Sequence, residues 1–426
     1  MPRSFSDPHG FVVMAISFPS ASRASTLGWR TPLVIVLCGC LISMISFGPR
    51  ATLGFFLTPM SQANDWGRDV FGLALAIQNI LWGLGQPFAG AIADRYGTMR
   101  VLWAGGTFYA VGLILMAYST SPGMLDLAAG VFVGFGLAGC SFSVVLAAFG
   151  KLLPERWRLL AFGAGTAAGS FGQFFYSPLA VSLMDAFGWQ TALVSFGIGM
   201  LLVLPLSLAV ATAPAEASRG AASQSLRQAL SEALSHRSYV LLVLGFFTCG
   251  FQLAFITVHM PSYLVDRGLS AQVGGWTIAV IGLFNIFGSL ASGWLGNLMP
   301  KRYILSFIYF ARAAAVLAFI SFPVTALSSI LFGAVMGLLW LSTVAPTNGI
   351  IALIFGTRWL ATLAGLVFFS HQVGGFLGVW LGGIVFVRTG SYDAVWWLSV
   401  LFGVLSAVVN LPIVEKPVVR AAAVPA

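Results

Sequence analysis

The chain has 426 residues, of which 58% are hydrophobic and only 8% charged, with a mean hydropathy of +0.94. That leaves too little polar surface for a water-soluble fold of this length. The net charge of +9 suggests a nucleic-acid partner, and the positions of the basic residues argue against one.

Residues 1–30 read as a cytoplasmic N-terminal tail. Phe11–Phe18 is apolar but too short to span a membrane, and no small-residue cleavage pattern marks a signal peptide. Twelve apolar runs follow, at 31–57, 69–92, 101–118, 124–150, 159–184, 190–212, 239–263, 275–296, 303–323, 326–350, 361–386 and 395–412. A helix of roughly 20 apolar residues crosses a bilayer. The 49 glycines and 19 prolines suit membrane helices, where small residues allow close approach and neighbours re-satisfy broken backbone bonds. A membrane β-barrel is excluded, because its strands alternate over about ten residues. The expected fold is an all-α membrane protein with twelve transmembrane helices in two six-helix halves.

Residues 213–238 turn polar and divide the chain into halves at 31–212 and 239–412, with a cytoplasmic tail at 413–426. The second part of the linker, Ser223–Leu234, has helical spacing and is expected along the membrane surface. With the N-terminus cytoplasmic, the inner loops collect Arg95, Arg100, Lys151, Arg156, Arg219, Arg227, Lys301, Arg302 and others. The outer loops hold only Arg68, Arg267 and Arg388. The basicity is therefore topological, with positive charge inside and both termini in the cytoplasm. Cys38, Cys40, Cys140 and Cys249 all lie in apolar runs and read as small buried residues, without disulfide or metal-ligand spacing.

Arg50 lies inside the first run. A charge at that depth costs about 2.5–3.5 kcal/mol and needs a partner, water or an anionic substrate. All 12 acidic residues fall in loops or at run ends, and the four histidines are far apart. There is no phosphate-cradling Walker loop and no catalytic constellation, so neither an ATP-driven pump nor an enzyme is expected, and no cofactor.

The halves echo each other. Gly90-x-x-x-Asp94-Arg95-x-Gly97-x-x-Arg100 joins the second and third runs, and Gly293-x-x-x-Asn297-x-x-x-Lys301-Arg302 joins the eighth and ninth. This loop, its echo and the six-plus-six layout resemble the major facilitator superfamily over about 31–412. The resemblance implies that Gly90, Asp94, Arg95, Gly97 and Arg100 form a cytoplasmic latch favouring the outward-open state. The plainer alternative is a short basic loop.

Two stretches resemble the monocarboxylate transporter branch. Pro49-Arg50-Ala51-Thr52-Leu53-Gly54-Phe55-Phe56 matches its proline–basic–x–x–x–x–Phe–Phe run, whose basic residue contacts the substrate carboxylate. Arg158-x-Leu160-Ala161-x-Gly163-x-Gly165-x-Ala167 matches its fifth-helix signature with one alanine replaced by glycine. There are departures. Thr26-Leu27-Gly28-Trp29 lacks the group's acidic residue, and Asn285 and Ser289 stand where its eighth helix carries an Asp and an Arg. The second basic site of the related oxalate–formate exchangers is not evident in helix 11. Proton coupling through the Asp–Arg pair therefore does not carry over.

In this superfamily helices 1, 4, 7 and 10 line the cavity and 2, 5, 8 and 11 flank it. Arg50 is the leading anion ligand, since guanidinium offers a planar fork to a carboxylate; the alternative is a cation capped by carbonyls or water. Arg312, on a peripheral helix, is expected to be structural. His371 with Gln372 suits substrate contact or a proton step, or an interhelical hydrogen bond. His259 on helix 7, like His371, is a residue inside the runs able to titrate near neutrality; near the outer end of its helix, its plainer reading is to face water. The expected substrate set is Arg50, Gln78, Tyr176, Asn285, Trp340, His371 and Gln372, with Asn79, Gln86, Gln173, Gln252, Ser342, Thr343 and Asn348 as further polar groups. Phe55, Phe56, Phe174, Phe175 and Phe255 are candidates for a partly apolar pocket or for core.

The implied function is secondary transport of a small organic anion, a monocarboxylate, across the cell inner (plasma) membrane by alternating access. The alternative is transport of a larger aromatic or neutral solute such as a vitamin or drug-like compound. The glycine–proline pattern of drug–proton antiporters is out of step at Gly165-x-x-x-Gly169-Ser170. A non-transporting sensor has no accompanying soluble domain to support it. Partners are a small organic solute and the lipid bilayer, with protons as a candidate coupling ion and a monomer as the expected state.

Overall fold

The computed structural model describes residues 28–212, 225–356 and 359–418. The Phe11–Phe18 stretch, the first part of the linker and the last residues of the chain lie outside them. Within the described residues the fold is helical. In chain order helices 1–6 are Pro32–Asn64, Arg68–Tyr96, Thr98–Ala117, Pro122–Leu152, Glu155–Phe187 and Trp189–Ser207. Helices 7–12 are Arg237–Asp266, Ala271–Leu298, Lys301–Ser321, Ala326–Phe355, Leu360–Thr389 and Asp393–Asn410.

Ten of these are long and apolar enough to cross a membrane. Helices 2 and 5 are long enough to cross, at 29 and 33 residues, but less apolar. Their hydropathy is lowered by Gln78, Asn79 and Gln86, and by Gln173 among glycines and serines. Amides in a spanning helix must face protein or a cavity, which places both helices inside the bundle. Most helices overrun the apolar runs at one or both ends. Helix 1 goes furthest, to Asn64, ending on a left-handed Asp65 with φ 55°.

Helix 1 packs on helix 5, helix 3 on helices 4 and 6, helix 7 on helices 11 and 12, and helix 8 on helix 10. The linker helix, Leu226–Ser235, is closed by a capping box in which Ser225 and Gln228 serve each other's backbone. Its Ala229 and Ala233 are buried. Beyond helix 12, the Val418 N–H donates to the Ile354 carbonyl at 2.9 Å and Glu415 accepts from the Arg302 N–H at 2.7 Å. Cys140 and Cys249 are buried as expected, whereas Cys38 and Cys40 are half-buried on helix 1.

The halves meet along helices 2 and 11, 5 and 8, and 1 and 7. The end of the bundle that carries Pro32 and the linker helix is the linker end, and the opposite one, with Asn64 and Asp266, is the far end. Helices 2 and 11 touch from Gly72 beside Val379 down to Gly83 beside Gln372. Two turns further toward the linker end on each helix, Gly90 and Gly365 have no described atom within 4 Å of an added Cβ. Helices 5 and 8 repeat the pattern, touching at Gly275 with Val181 and at Gly282 with Phe174, while an added Cβ at Gly163 or Gly293 meets no described atom within 4 Å. The bundle is shut at the far end and parted at the linker end.

Closure at the far end depends on backbone approach at Gly54 of helix 1. A Cβ there would lie 2.3 Å from the Thr257 carbonyl oxygen of helix 7 and 2.6 Å from that of Val258. Gly54→Val is expected to hold these helices apart and shift the population toward an open far end. Faster labelling of a cysteine placed in that crevice is the measurement, and an unchanged rate counts against it.

Candidate functional site

Four helices are broken near mid-depth, helix 6 among them at Leu201–Leu202. Helix 1 changes to a tighter 3-10 turn at Leu53–Phe56, just after Pro49, which has no N–H to donate. Helix 4 pauses at Cys140–Ser141, and helix 10 is interrupted between Leu339 and Val344. Irregular backbone at this depth is tolerated only where protein or a water-filled cavity satisfies it. Broken helices with freed polar groups are how such bundles build a solute site.

Arg50 sits one turn before the break in helix 1. Its Nη2 donates to Asn79 Oδ1 of helix 2 at 3.0 Å, and its guanidinium lies 4.9 Å from the centre of the Trp82 ring, one turn further on. Asn79 is fixed for this role, because its Nδ2 donates to the Leu75 carbonyl at 3.0 Å and leaves Oδ1 to accept. The Arg50 Nε is buried without a hydrogen-bond partner. Among the described residues no carboxylate pairs with Arg50. Its described neighbours are a neutral amide, a ring face and the buried Tyr109 of helix 3, which orient a cation and leave its charge unmatched.

Trp82 leads across to the other half. Its ring meets Phe368 of helix 11 edge-on at 5.4 Å, and Phe368 stacks on His371 at 5.5 Å. Phe246 of helix 7 lies 5.4 Å from the same imidazole, and Phe47 of helix 1 is 6.1 Å from Trp82. His371 is half-buried, with Nδ1 3.0 Å from the Gln372 Oε1. An amide oxygen only accepts, so Nδ1 carries the proton, and the Cys249 thiol of helix 7 lies within hydrogen-bonding reach of the same imidazole. Gln372 itself is fully buried, and its Nε2 has no partner among the described residues. A cation and an imidazole thus flank an aromatic surface where helices 2 and 11 make their last contact before parting.

The other expected site residues are placed differently. Gln78 is turned to helix 4, donating to the Ala129 carbonyl at 2.8 Å. Asn285 is engaged at both ends of its amide: its Nδ2 donates to Ser170 across the halves at 2.9 Å, and its Oδ1 accepts from Ser289 and from the Leu341 N–H in the helix 10 break. Tyr176 packs on Gly48 and Phe196; Gly48 is two residues from Arg50 and so on another face of helix 1. Trp340 is buried at the helix 10 break, where its carbonyl accepts from Arg312. Trp82, Phe47, Phe246 and Phe368 were not singled out in the sequence, where 36 phenylalanines and 13 tryptophans offer no way to choose.

In the latch loop, Gly97 has φ +91° and faces the Thr212 carbonyl, while Thr98 donates to the Val210 carbonyl at 2.6 Å. Arg95 lies over the Tyr96 ring at 5.2 Å, Arg100 is exposed, and Gly90 faces open space. The Asp94 side chain lies outside the described part.

Residues 39–379 match the model of the Major Facilitator Superfamily. The chain belongs to that superfamily. It is a multi-pass membrane transporter, not an enzyme, and within the superfamily it resembles the monocarboxylate transporters. An uncharacterized MFS-type transporter of Bacillus subtilis, YcxA, is 29% identical over 385 residues, covering 88% of this chain and 93% of that one. Monocarboxylate transporter 13 of Rattus norvegicus is 25% identical over 385 residues, covering 86% and 84%. Among solved structures, a bacterial homolog of the human lysosomal transporter Spinster superposes with a TM-score of 0.72 at 16% identity, covering 89% of this chain and 96% of that one. The D-xylose–proton symporter follows with a TM-score of 0.65 at 16% identity, covering 91% and 98%. Those two likenesses concern the fold alone.

Proposed function

We propose that this chain carries a small organic anion, a monocarboxylate with an apolar or ring-bearing body, across the cell inner membrane by alternating access. The observation that carries the reading is Arg50, whose charge no described carboxylate matches, placed beside an aromatic surface where the halves begin to part. A carboxylate supplies the missing charge and accepts from the guanidinium fork. The Trp82 and Phe368 rings suit an apolar body, with His371 stacked at their edge.

By the positive-inside rule the linker end is cytoplasmic, both termini with it, and the parted state is inward-open. Asn285 and Ser289 are bound into packing, so coupling does not run through the helix 8 positions that serve it in monocarboxylate transporters. Monomeric halves at 31–212 and 239–412, moving about the contacts of helices 2 with 11 and 5 with 8, make the carrier. The aromatic surface also supports the second reading, a larger neutral or aromatic solute.

Uptake of labelled carboxylates into proteoliposomes, with and without a proton gradient, tests the proposal. Saturable uptake of a monocarboxylate, blocked by its acid analogues and not by its neutral amide, is expected. Equal competition by the amide favours the second reading.

Asp94→Asn is expected to slow transport several-fold while leaving solute affinity unchanged. Its backbone lies near the linker end, away from Arg50, so its charge acts on the balance of states and not on the site. Affinity and turnover measured together decide it: lost binding at normal turnover refutes the latch.

A further inference from the structure

The far end is closed by a polar assembly that the transport site does not use. Arg68, at the start of helix 2, forks onto Asp266 at the end of helix 7, with Nη1–Oδ2 at 2.5 Å and Nη2–Oδ1 at 2.6 Å. The pair joins the two halves. Its guanidinium lies 3.9 Å from the centre of the Phe386 ring of helix 11, and Nη1 also donates to the Tyr392 hydroxyl at 2.9 Å. Tyr392, at the cap of helix 12, is 1% exposed.

Behind Tyr392 lies His259. It was expected to face water and is fully buried, because Tyr392 covers it and helix 11 lies flush against its ring. A Cβ on Gly382 would be 2.4 Å from the imidazole. His259 Nε2 is 2.8 Å from the Val379 carbonyl, and Nδ1 is 3.3 Å from the Tyr392 hydroxyl. A carbonyl only accepts, so Nε2 carries the proton and Nδ1 is the bare acceptor. The Tyr392 O–H, already accepting from Arg68, donates to that nitrogen. Every donor in the chain Arg68, Tyr392, His259, Val379 points the same way.

This polarity admits one protonation state. A proton on Nδ1 removes the acceptor for the Tyr392 hydroxyl and puts a second cation beside Arg68. We propose that His259 is a proton-binding site of the far-end gate, loaded only when the gate is open and emptied before it closes. The bound proton returns to the side it came from, so the site senses acidity on the far side and moves no proton across. Acid there holds the carrier open to the far side.

The groups facing His259 make this specific. Helix 2 presents Arg68, helix 12 Tyr392, and helix 11 only the Val379 carbonyl and Gly382; on helix 7 itself Tyr263 and Asp266 follow one and two turns on. Arg267 and Asp393 pair with each other at 3.8 Å nearer the surface. Asp266, the acid nearest the assembly, is the rival proton site.

The test is a distance between nitroxides at Ala63→Cys and Ser270→Cys, in the two halves at the far end, in the full chain with Cys38→Ser and Cys40→Ser. An open-state imidazole of ordinary affinity, pKa about 6.5, raises the open-to-closed ratio roughly thirtyfold between about pH 8 and about pH 5. The wild type is expected to gain that long-distance component in acid. His259→Gln and His259→Asn supply an amide that accepts without titrating, and either is expected to lose the acid response. Tyr392→Phe removes the joint and is expected to open the gate at both pH values. A wild type that ignores pH, or a response that persists in either His259 variant, overturns the proposal and, in the second case, assigns the proton to Asp266.

Discussion

Arg50→Ala is expected to abolish carboxylate uptake while leaving the folded carrier in the membrane. Within the protein the guanidinium makes one described hydrogen bond, to Asn79, and one ring contact, to Trp82. Each is worth about 1 kcal/mol to stability, so truncation leaves little unsatisfied. The loss to binding is larger, because a desolvated carboxylate deprived of its charged partner costs about 2–5 kcal/mol, or roughly 30-fold to several-thousand-fold in affinity. Arg50→Lys keeps the charge and loses the fork, and partial uptake is expected. Uptake normalised to folded protein, measured beside yield and thermal stability, separates a site effect from a folding one. Wild-type transport by Arg50→Ala sinks the anion reading and promotes the neutral aromatic solute.

Hydropathy made the twelve helices legible, and a lone cation in the first one made Arg50 legible. What surrounds Arg50 was not. Gln78 and Asn79 are adjacent and chemically alike, and a helix turns about 100° between them. That turn sends Asn79 to Arg50 and Gln78 to helix 4, and only the packing decides which. Trp82 and Phe368 meet across 286 positions of chain, in helices whose pairing no local pattern encodes. Pro49 stands just before the break in helix 1, yet residues 339–343 hold no proline, and the helix 10 break is held open by side chains of other helices. His259 was misplaced because depth along its own helix says nothing of Tyr392, which arrives from helix 12 to cover it.

Arg312→Ala, the other substitution with a large expected effect, is expected to act through folding. Arg312 is fully buried in helix 9, and its Nε and Nη2 donate to the Leu339 carbonyl at 3.1 and 2.5 Å; Nη2 also donates to that of Trp340. These carbonyls border the interruption of helix 10. In an unbroken helix the Val344 N–H serves Trp340, but here it goes to Leu341 at 3.0 Å. Arg312 therefore does for helix 10 what the missing turn does not, with Asn285 and Ser292 securing the neighbouring backbone at Leu341 and Ser342. Removing the side chain strands two buried carbonyls at about 1–3 kcal/mol each. It also opens a cavity the size of the largest cation a core accepts. Such losses approach the whole margin of about 5–15 kcal/mol that holds a domain together. Low yield and a lowered melting temperature are expected, with Arg312→Met filling the volume and recovering part of the packing but none of the carbonyl bonds. Arg312→Ala protein that folds with wild-type stability and yet fails to bind solute would place this cation in the transport site instead.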